Sequence, residues 1–310
     1  TSAGNVVATG SLTIPLMKKV GYPAKSAAAI EATASSGGQI LPPIMGAGAF
    51  IMAEVTGIPY TEIVVAAIIP ALLYFVSVYF MIDLQATKLG MKGLPKSELP
   101  KFRVLAKQVF LFLPIIILIY TLFAGYSVIR AGTVAMASAA VVSWLTPYRM
   151  GPTAVLKALE LGAKMSIQLV AVCAAAGIIV GVIALTGVGA RFSSLLLGIA
   201  EQNQLVALFF AMCISIILGM GMPTTAAYAF FVFYYAVMSA ITPPVALAAY
   251  AGAGLSGSDP MKTSVEAFKI GLAAFIVPFM FFYSHELLMQ GEWIDIARVV
   301  ATALLGMYLL

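Results

Sequence analysis

Runs of apolar residues near the roughly 20 needed to cross a bilayer recur along this chain, and they constrain it more than any other feature. The clearest are Thr61–Ile82, Val109–Ala124, Ala131–Leu145, Ile167–Leu185, Leu205–Leu218 and Ile270–Tyr283. Lipid offers the backbone no hydrogen-bond partner outside the chain, so a bundle of helices follows. Composition agrees: 62% of the residues are hydrophobic and 9% charged, against about a quarter charged in a soluble domain. The expected fold class is an all-α polytopic membrane protein.

The net charge of +5 would suggest nucleic acid in a soluble protein. Here it has another cause, because the cations cluster in alternate loops. Lys18, Lys19 and Lys25 form one group, and Lys88, Lys92, Lys96, Lys101, Arg103 and Lys107 a second. Arg149, Lys157 and Lys164 form a third, and Lys262 with Lys269 a fourth. Intervening loops hold only Arg130 and Arg191, so 14 of the 17 Lys and Arg residues fall on one side, with Arg298 a further exception. The positive-inside rule makes that side cytoplasmic. Residues 152–164 read as a short amphipathic interfacial helix. Cys173 and Cys213 lack metal-ligand spacing and read as packing residues.

Three interruptions fall inside the membrane zone: Gly37–Gly46, Gly219–Thr225 and Ser239–Pro244. Proline removes an amide donor and crowds the preceding turn, while glycine lets the backbone turn. The first interruption follows only about 12 helix-forming residues, Ala24 to Ser35, and precedes another 8 to 12. Neither half can span the membrane alone. Irregular backbone at that depth is tolerated only where it lines a cavity or coordinates something.

The first and third interruptions match. Ile40-Leu41-Pro42-Pro43-Ile44 aligns with Ile241-Thr242-Pro243-Pro244-Val245 at an offset of 201, where Pro59 also meets Pro260. The loop charges give the two segments opposite directions. Discontinuous helices at matching positions of an inverted repeat point to a carrier's binding site.

The chemistry on offer is neutral oxygen: backbone carbonyls, hydroxyls such as those of Ser2, Thr224, Thr225 and Thr242, and the amides of Asn5 and Gln39. Such oxygens suit sodium, and half-helix N-termini suit a carboxylate. Proton coupling would draw on embedded carboxylates or histidines, of which Glu31 is the nearest to a break. A channel and a membrane enzyme are the other classes. The chain has one histidine and two isolated cysteines, a poor basis for catalysis, and it is expected not to be an enzyme.

These segments resemble the large permease subunit of the tripartite ATP-independent periplasmic (TRAP) transporters, in particular the fused permeases of the TAXI type. The resemblance rests on NVVATGSLTIPLMKK (Asn5–Lys19), GGQILPPIMGAGAFIMAE (Gly37–Glu54), GMGMPTTAAY (Gly219–Tyr228) and SAITPPVALAAYAGAG (Ser239–Gly254). It implies an inverted-repeat, elevator-type carrier with re-entrant hairpins and broken helices, working as a sodium symporter in the bacterial or archaeal inner membrane. Dicarboxylates, keto acids or glutamate-like organic acids would be taken up from a periplasmic substrate-binding protein. A small membrane subunit, or its fused equivalent upstream, completes the assembly. Sodium ions serve for coupling; no other cofactor and no nucleic acid are expected.

Carried over by motif, one sodium site involves Ser2, Asn5, Gly38 and Pro42, and the second involves Gly221, Thr224, Thr225, Thr242 and Pro243. The carboxylate substrate would lie between the tips, near Ser2, Asn5, Thr224, Thr225 and Thr242. The expected organisation is a single transport domain. Residues 1–82 form a first repeat portion, 83–107 a basic cytoplasmic loop and 108–204 intervening helices. Residues 205–283 form a shortened second portion, and 284–310 a C-terminal segment. The chain opens at Thr1 inside a motif, and only 17 residues separate Thr225 from Pro243. The expectation is therefore an N-terminally truncated fragment lacking some 20–25 further residues, for which an inactive fold is the alternative function.

Overall fold

The computed structural model describes residues 2–91, 108–146, 149–187, 191, 194, 198, 204–221 and 230–309. Among these residues all regular elements are helical and there is no strand. In chain order they are α1 (Ser2–Val20), α2 (Ala24–Gly37), α3 (Ala47–Thr56), α4 (Tyr60–Lys88), α5 (Leu113–Phe123), α6 (Val128–Ser143) and α7 (Pro152–Thr186). There follow α8 (Gln204–Gly221), α9 (Phe230–Met238), α10 (Leu247–Ser256), α11 (Pro260–Ile270), α12 (Val277–Tyr283) and α13 (Trp293–Leu309). Short 3-10 turns cover Ser239–Ile241, Leu272–Phe275 and His285–Leu288. The fold is that of an all-α membrane protein.

Helix α4 has 29 residues and is long and apolar enough to cross a bilayer by itself. At about 1.5 Å per residue it reaches about 43 Å. The pair Pro260–Ile270 and Leu272–Tyr283 passes the same test as one span bent by 61°. Large apolar side chains such as Leu12, Leu72, Ile129, Leu185 and Leu305 stand exposed. A lipid-facing surface tolerates this; a water-facing one would not.

The chain divides into two compact units. One comprises Thr1–Lys92 with Cys173–Leu310, and the other Gly93–Val172. In the second, α5 and α6 form a hairpin. Its turn is fixed by Ser127, which accepts the Arg130 amide at 3.4 Å as an N-cap, and by the Arg130 guanidinium 4.9 Å from the Tyr126 ring centre. The short amphipathic helix expected over 152–164 is instead the opening of α7, which runs 35 residues without a break. Nothing in the sequence after Lys164 stops a helix, since the next residues are apolar helix formers rather than Gly-Pro punctuation.

The first unit is built around α1, α2, α10 and α11. Helices α1 and α2 form an antiparallel hairpin through the turn Gly21–Pro23, and α10 packs on both. Small residues make the approach close: a Cβ on Gly252 of α10 would come within 2.9 Å of the Ala28 carbonyl oxygen of α2. A Cβ on Gly10 of α1 would meet Glu31 Cγ and Leu255 Cδ1, both at 3.2 Å. Helix α2 is buried from Ser26 to Gly37 except at the half-buried Ala34, so the first broken helix sits at the centre of this unit.

A second block of the unit is aromatic. Within α9, Phe233, Tyr234 and Tyr235 are turned fully into the core. The Tyr234 hydroxyl donates to the Ala274 carbonyl at 3.2 Å and the Tyr235 hydroxyl to the Phe275 carbonyl at 2.6 Å. Those carbonyls belong to the 3-10 turn where the bent pair changes direction. Bent helices free backbone acceptors, and side chains from a neighbour satisfy them here.

Candidate functional site: two matched helix breaks

The first break lies between α2 and α3, and the second between α9 and α10. Each contains a cis Pro-Pro peptide, Pro42-Pro43 and Pro243-Pro244. Each then passes through a left-handed non-glycine residue, Met45 at φ 47° and Ala246 at φ 32°. Both are followed by a ten-residue helix closed by a left-handed glycine, Gly57 at φ 69° and Gly257 at φ 74°. Left-handed backbone costs a non-glycine residue about 1–2 kcal/mol. It persists where surrounding structure imposes it, often at a functional place.

The two prolines of each break are treated differently. The second prolyl carbonyl of the first break, that of Pro43, accepts the Tyr60 hydroxyl at 2.7 Å. Its counterpart, that of Pro244, accepts the Tyr250 hydroxyl. The carbonyls of Pro42 and Pro243 accept no hydrogen bond among the described residues. Within each turn the amide of the left-handed residue bonds four residues back, Met45 to Leu41 and Ala246 to Thr242, both at 3.1 Å. The Thr242 hydroxyl turns to the Met238 carbonyl at 2.8 Å.

A ladder of polar side chains joins α1 to α2 and the first break. Gln39 donates its amide to the Ser2 hydroxyl. One turn further, Asn5 Nδ2 donates to Ser35 Oγ at 3.1 Å. Below that, Thr9 and Thr13 both donate to the carboxylate of Glu31, the latter at 2.5 Å, and Ser35 donates to it at 3.4 Å. Positions 2, 5, 9 and 13 share one face of α1, and 31 and 35 share one face of α2 with Gln39 in the turn just beyond it.

The structure therefore brings Ser2 and Asn5 against the residues flanking Gly38, within the helical start of α1. Thr242 and Pro243 occupy the second break, with the adjacent turn Ser239–Ile241 packed against both α2 and α10. Gly221 is the last residue of α8. Thr224 and Thr225 lie outside the described residues. No group of three or more His, Cys, Asp or Glu side chains able to hold a metal occurs among the described residues. His285 is exposed in its 3-10 turn and Glu62 is exposed in the first turn of α4.

Sequence reasoning missed two features. The tyrosine caps come from different sequence positions, Tyr60 at the start of α4, beyond the half-helix α3, and Tyr250 inside the half-helix α10, so no aligned motif reveals them. The Glu31 cradle was legible in part: Asn5, Thr9 and Thr13 at spacings of four announce a polar stripe on α1. Its partner stripe needed the hairpin register.

Helices interrupted midway, in duplicate, on an apolar all-α scaffold define a membrane protein of the broken-helix kind. The sequence of residues 1–232, three quarters of the chain, matches the family model of the tripartite ATP-independent periplasmic transporter, DctM component. The chain belongs to that family, which is the large permease component of these transporters. The second break lies beyond the matched residues. No curated protein matches the sequence.

Proposed function

We propose that this permease is a sodium-coupled secondary carrier of organic carboxylates, multi-pass in the inner membrane and supplied by a periplasmic binding protein. The observation that carries this reading is the paired break. In each, one prolyl carbonyl is committed to a tyrosine and the other is left available. Carbonyl and hydroxyl oxygens in that arrangement are the ligands a weakly hydrated monovalent cation takes.

In this reading the first ion is held by Ser2, Asn5, Gly38 and Pro42, and the second by Gly221, Thr224, Thr225, Thr242 and Pro243. The substrate carboxylate sits between Ser2 and Asn5 on one side and Thr224, Thr225 and Thr242 on the other. The N-termini of α3 and α10, which follow the breaks, add partial positive charge there. Carriage is by an elevator-type movement of the inverted repeats, with re-entrant hairpins closing over the ligand and a small membrane subunit as scaffold.

The test is the melting temperature of the purified chain in sodium chloride against potassium and choline chlorides at equal ionic strength. A ligand that binds only the folded state stabilises it by mass action. A sodium-specific rise, lost in Asn5→Ala, supports the reading. Equal melting temperatures in all three salts sink it.

A further inference from the structure

We propose that the groove between α12 and α13 holds one membrane phospholipid whose headgroup carries a primary ammonium. Its acyl chain lies in the groove and its headgroup on the first turns of α13. The inference stands apart from sodium binding at the breaks, and either can fail without the other.

The groove has a volume of about 570 Å³, well within the range of ligand cavities. Leu205 of α8, Phe279, Met280 and Tyr283 of α12, and Val299 and Ala303 of α13 line it. Thr302 lines it too, but its hydroxyl is spent on the carbonyls of Arg298 at 3.1 Å and Val299 at 2.9 Å. No charged side chain among the described residues faces the groove. Walls of this kind hold hydrocarbon and reject an ion or a carboxylate, which would lose its water there for nothing in return.

The sequence of α13 sets the depth of the groove in the bilayer. Glu292, Trp293, Asp295 and Arg298 are all exposed at its start, whereas residues 299–310 carry no charge. A tryptophan among charges, followed by an uncharged apolar helix, puts the headgroup layer at 292–298 and hydrocarbon from 299 onward. Val299, Thr302 and Ala303 therefore line the groove where acyl chains begin. At the end of α12, the hydroxyls of Tyr283 and Ser284 have no hydrogen-bond partner among the described residues. Both residues line the groove, and their hydroxyls suit the ester oxygens of a glycerolipid.

The order of the charges selects the headgroup. Asp295 precedes Val299 by four residues and Arg298 precedes Thr302 by four, so each stands one turn above a groove-lining position. Glu292, whose carbonyl accepts the Ile296 amide at 3.0 Å, continues the helical register further out. No ion pair engages these three groups among the described residues. At about 1.5 Å per residue, Asp295 lies about 4.5 Å and Glu292 about 9 Å further from the hydrocarbon than Arg298. An aminophospholipid has the same sequence of charge: phosphate next to the glycerol, then ammonium two carbons beyond. Phosphate on Arg298 with ammonium on Asp295 and Glu292 matches all three groups. A headgroup with phosphate alone leaves both carboxylates unmatched and is repelled by them.

The experiment is the melting temperature of the full chain, stripped of lipid in detergent, after adding phosphatidylethanolamine or phosphatidylglycerol with the same acyl chains. A lipid that binds the folded chain raises it. Phosphatidylethanolamine is expected to raise it and phosphatidylglycerol to leave it nearly unchanged. Val299→Phe, which fills the groove, abolishes the rise. Asp295→Asn combined with Glu292→Gln removes the preference between the two lipids. Equal responses of the wild-type chain to both lipids, or to neither, overturn the proposal, as does a full rise in Val299→Phe. Should Val299→Phe fail to fold, the exposed pair Asp295→Asn and Glu292→Gln decides it, and an unchanged preference there overturns it equally.

Discussion

The hydroxyl of Tyr60 donates to the carbonyl of Pro43 at 2.7 Å, and Tyr250 repeats the contact with Pro244. The two donors reach their carbonyls from unrelated directions, since Tyr60 opens the following helix and Tyr250 lies within the half-helix itself. What is shared is the outcome: the second prolyl carbonyl of each break is satisfied and the first is not. Two routes to one hydrogen-bond pattern are better explained by a requirement of the break than by inheritance of a motif.

Tyr60→Phe follows directly. The ring keeps its stacking on Phe50, whose centroid is 4.5 Å away, while the Pro43 carbonyl loses its donor. An unsatisfied acceptor in a partly buried site costs about 1–3 kcal/mol. The expected result is a lower melting temperature together with a smaller sodium-specific rise. Tyr79→Phe, on an exposed ring of α4, should change neither. Thermal unfolding of the three proteins in sodium and choline salts reads both effects.

The sequence showed why the helices must break, and where, because proline and glycine act locally. The half-helix expected over 24–35 is observed as Ala24–Gly37, and the second half has ten residues. What stayed hidden depends on register between elements. The bend at Gly271 carries no proline; Ile241 of another element packs tightly there, its Cδ1 2.7 Å from where a Cβ on that glycine would stand. The first half of α7 reads as an interfacial helix from its charges, yet backbone continuity past Lys164 joins it to the apolar run behind. At the candidate site, residue types were readable in advance, whereas the pairing of Asn5 with Ser35 and of Thr9 and Thr13 with Glu31 required the α1–α2 hairpin.

Glu266 gathers α2 and α4 onto α11. It accepts Gln85 Nε2 at 2.9 Å and Ser26 Oγ at 3.2 Å. Glu266→Ala removes the acceptor of both, leaving Gln85 only its 3.3 Å contact with Ser26 Oγ, and should lower stability by about 1–3 kcal/mol. Lys25 lies 4.0 Å away with its side chain half exposed. A pair so placed contributes little, so Lys25→Ala should unfold at nearly the wild-type temperature. A large effect of Lys25→Ala with a small one of Glu266→Ala would reverse the assignment.

The exposed pair Glu160 and Lys164 at 2.6 Å is a third case. Both side chains are about two-thirds exposed, at 64% and 67%. Water and salt screen such a contact, and pairs one helical turn apart contribute about 0.3–0.5 kcal/mol. Lys164→Ala should leave the melting temperature almost unchanged at physiological salt, and any small loss should vanish in high salt.

Two glycines of α10 test the packing against α2 most sharply, because they share a helix and differ only in what they face. A Cβ at Gly252 would sit 2.9 Å from the Ala28 carbonyl oxygen and 3.3 Å from the Ala28 Cβ. The obstacle is backbone and cannot rotate aside, so Gly252→Ala forces α10 off α2. Overpacking of this kind costs about 1–3 kcal/mol. A Cβ at Gly254 meets nothing within 4 Å. There alanine narrows the unfolded ensemble and favours the helix, a gain of about 0.4–1 kcal/mol. Opposite shifts in melting temperature are therefore expected from the same substitution two residues apart. Because α10 is also the half-helix that follows the second break, Gly252→Ala should in addition weaken the sodium-specific stabilisation while Gly254→Ala leaves it intact. Parallel shifts in both variants would mean that α10 does not meet α2 through Gly252.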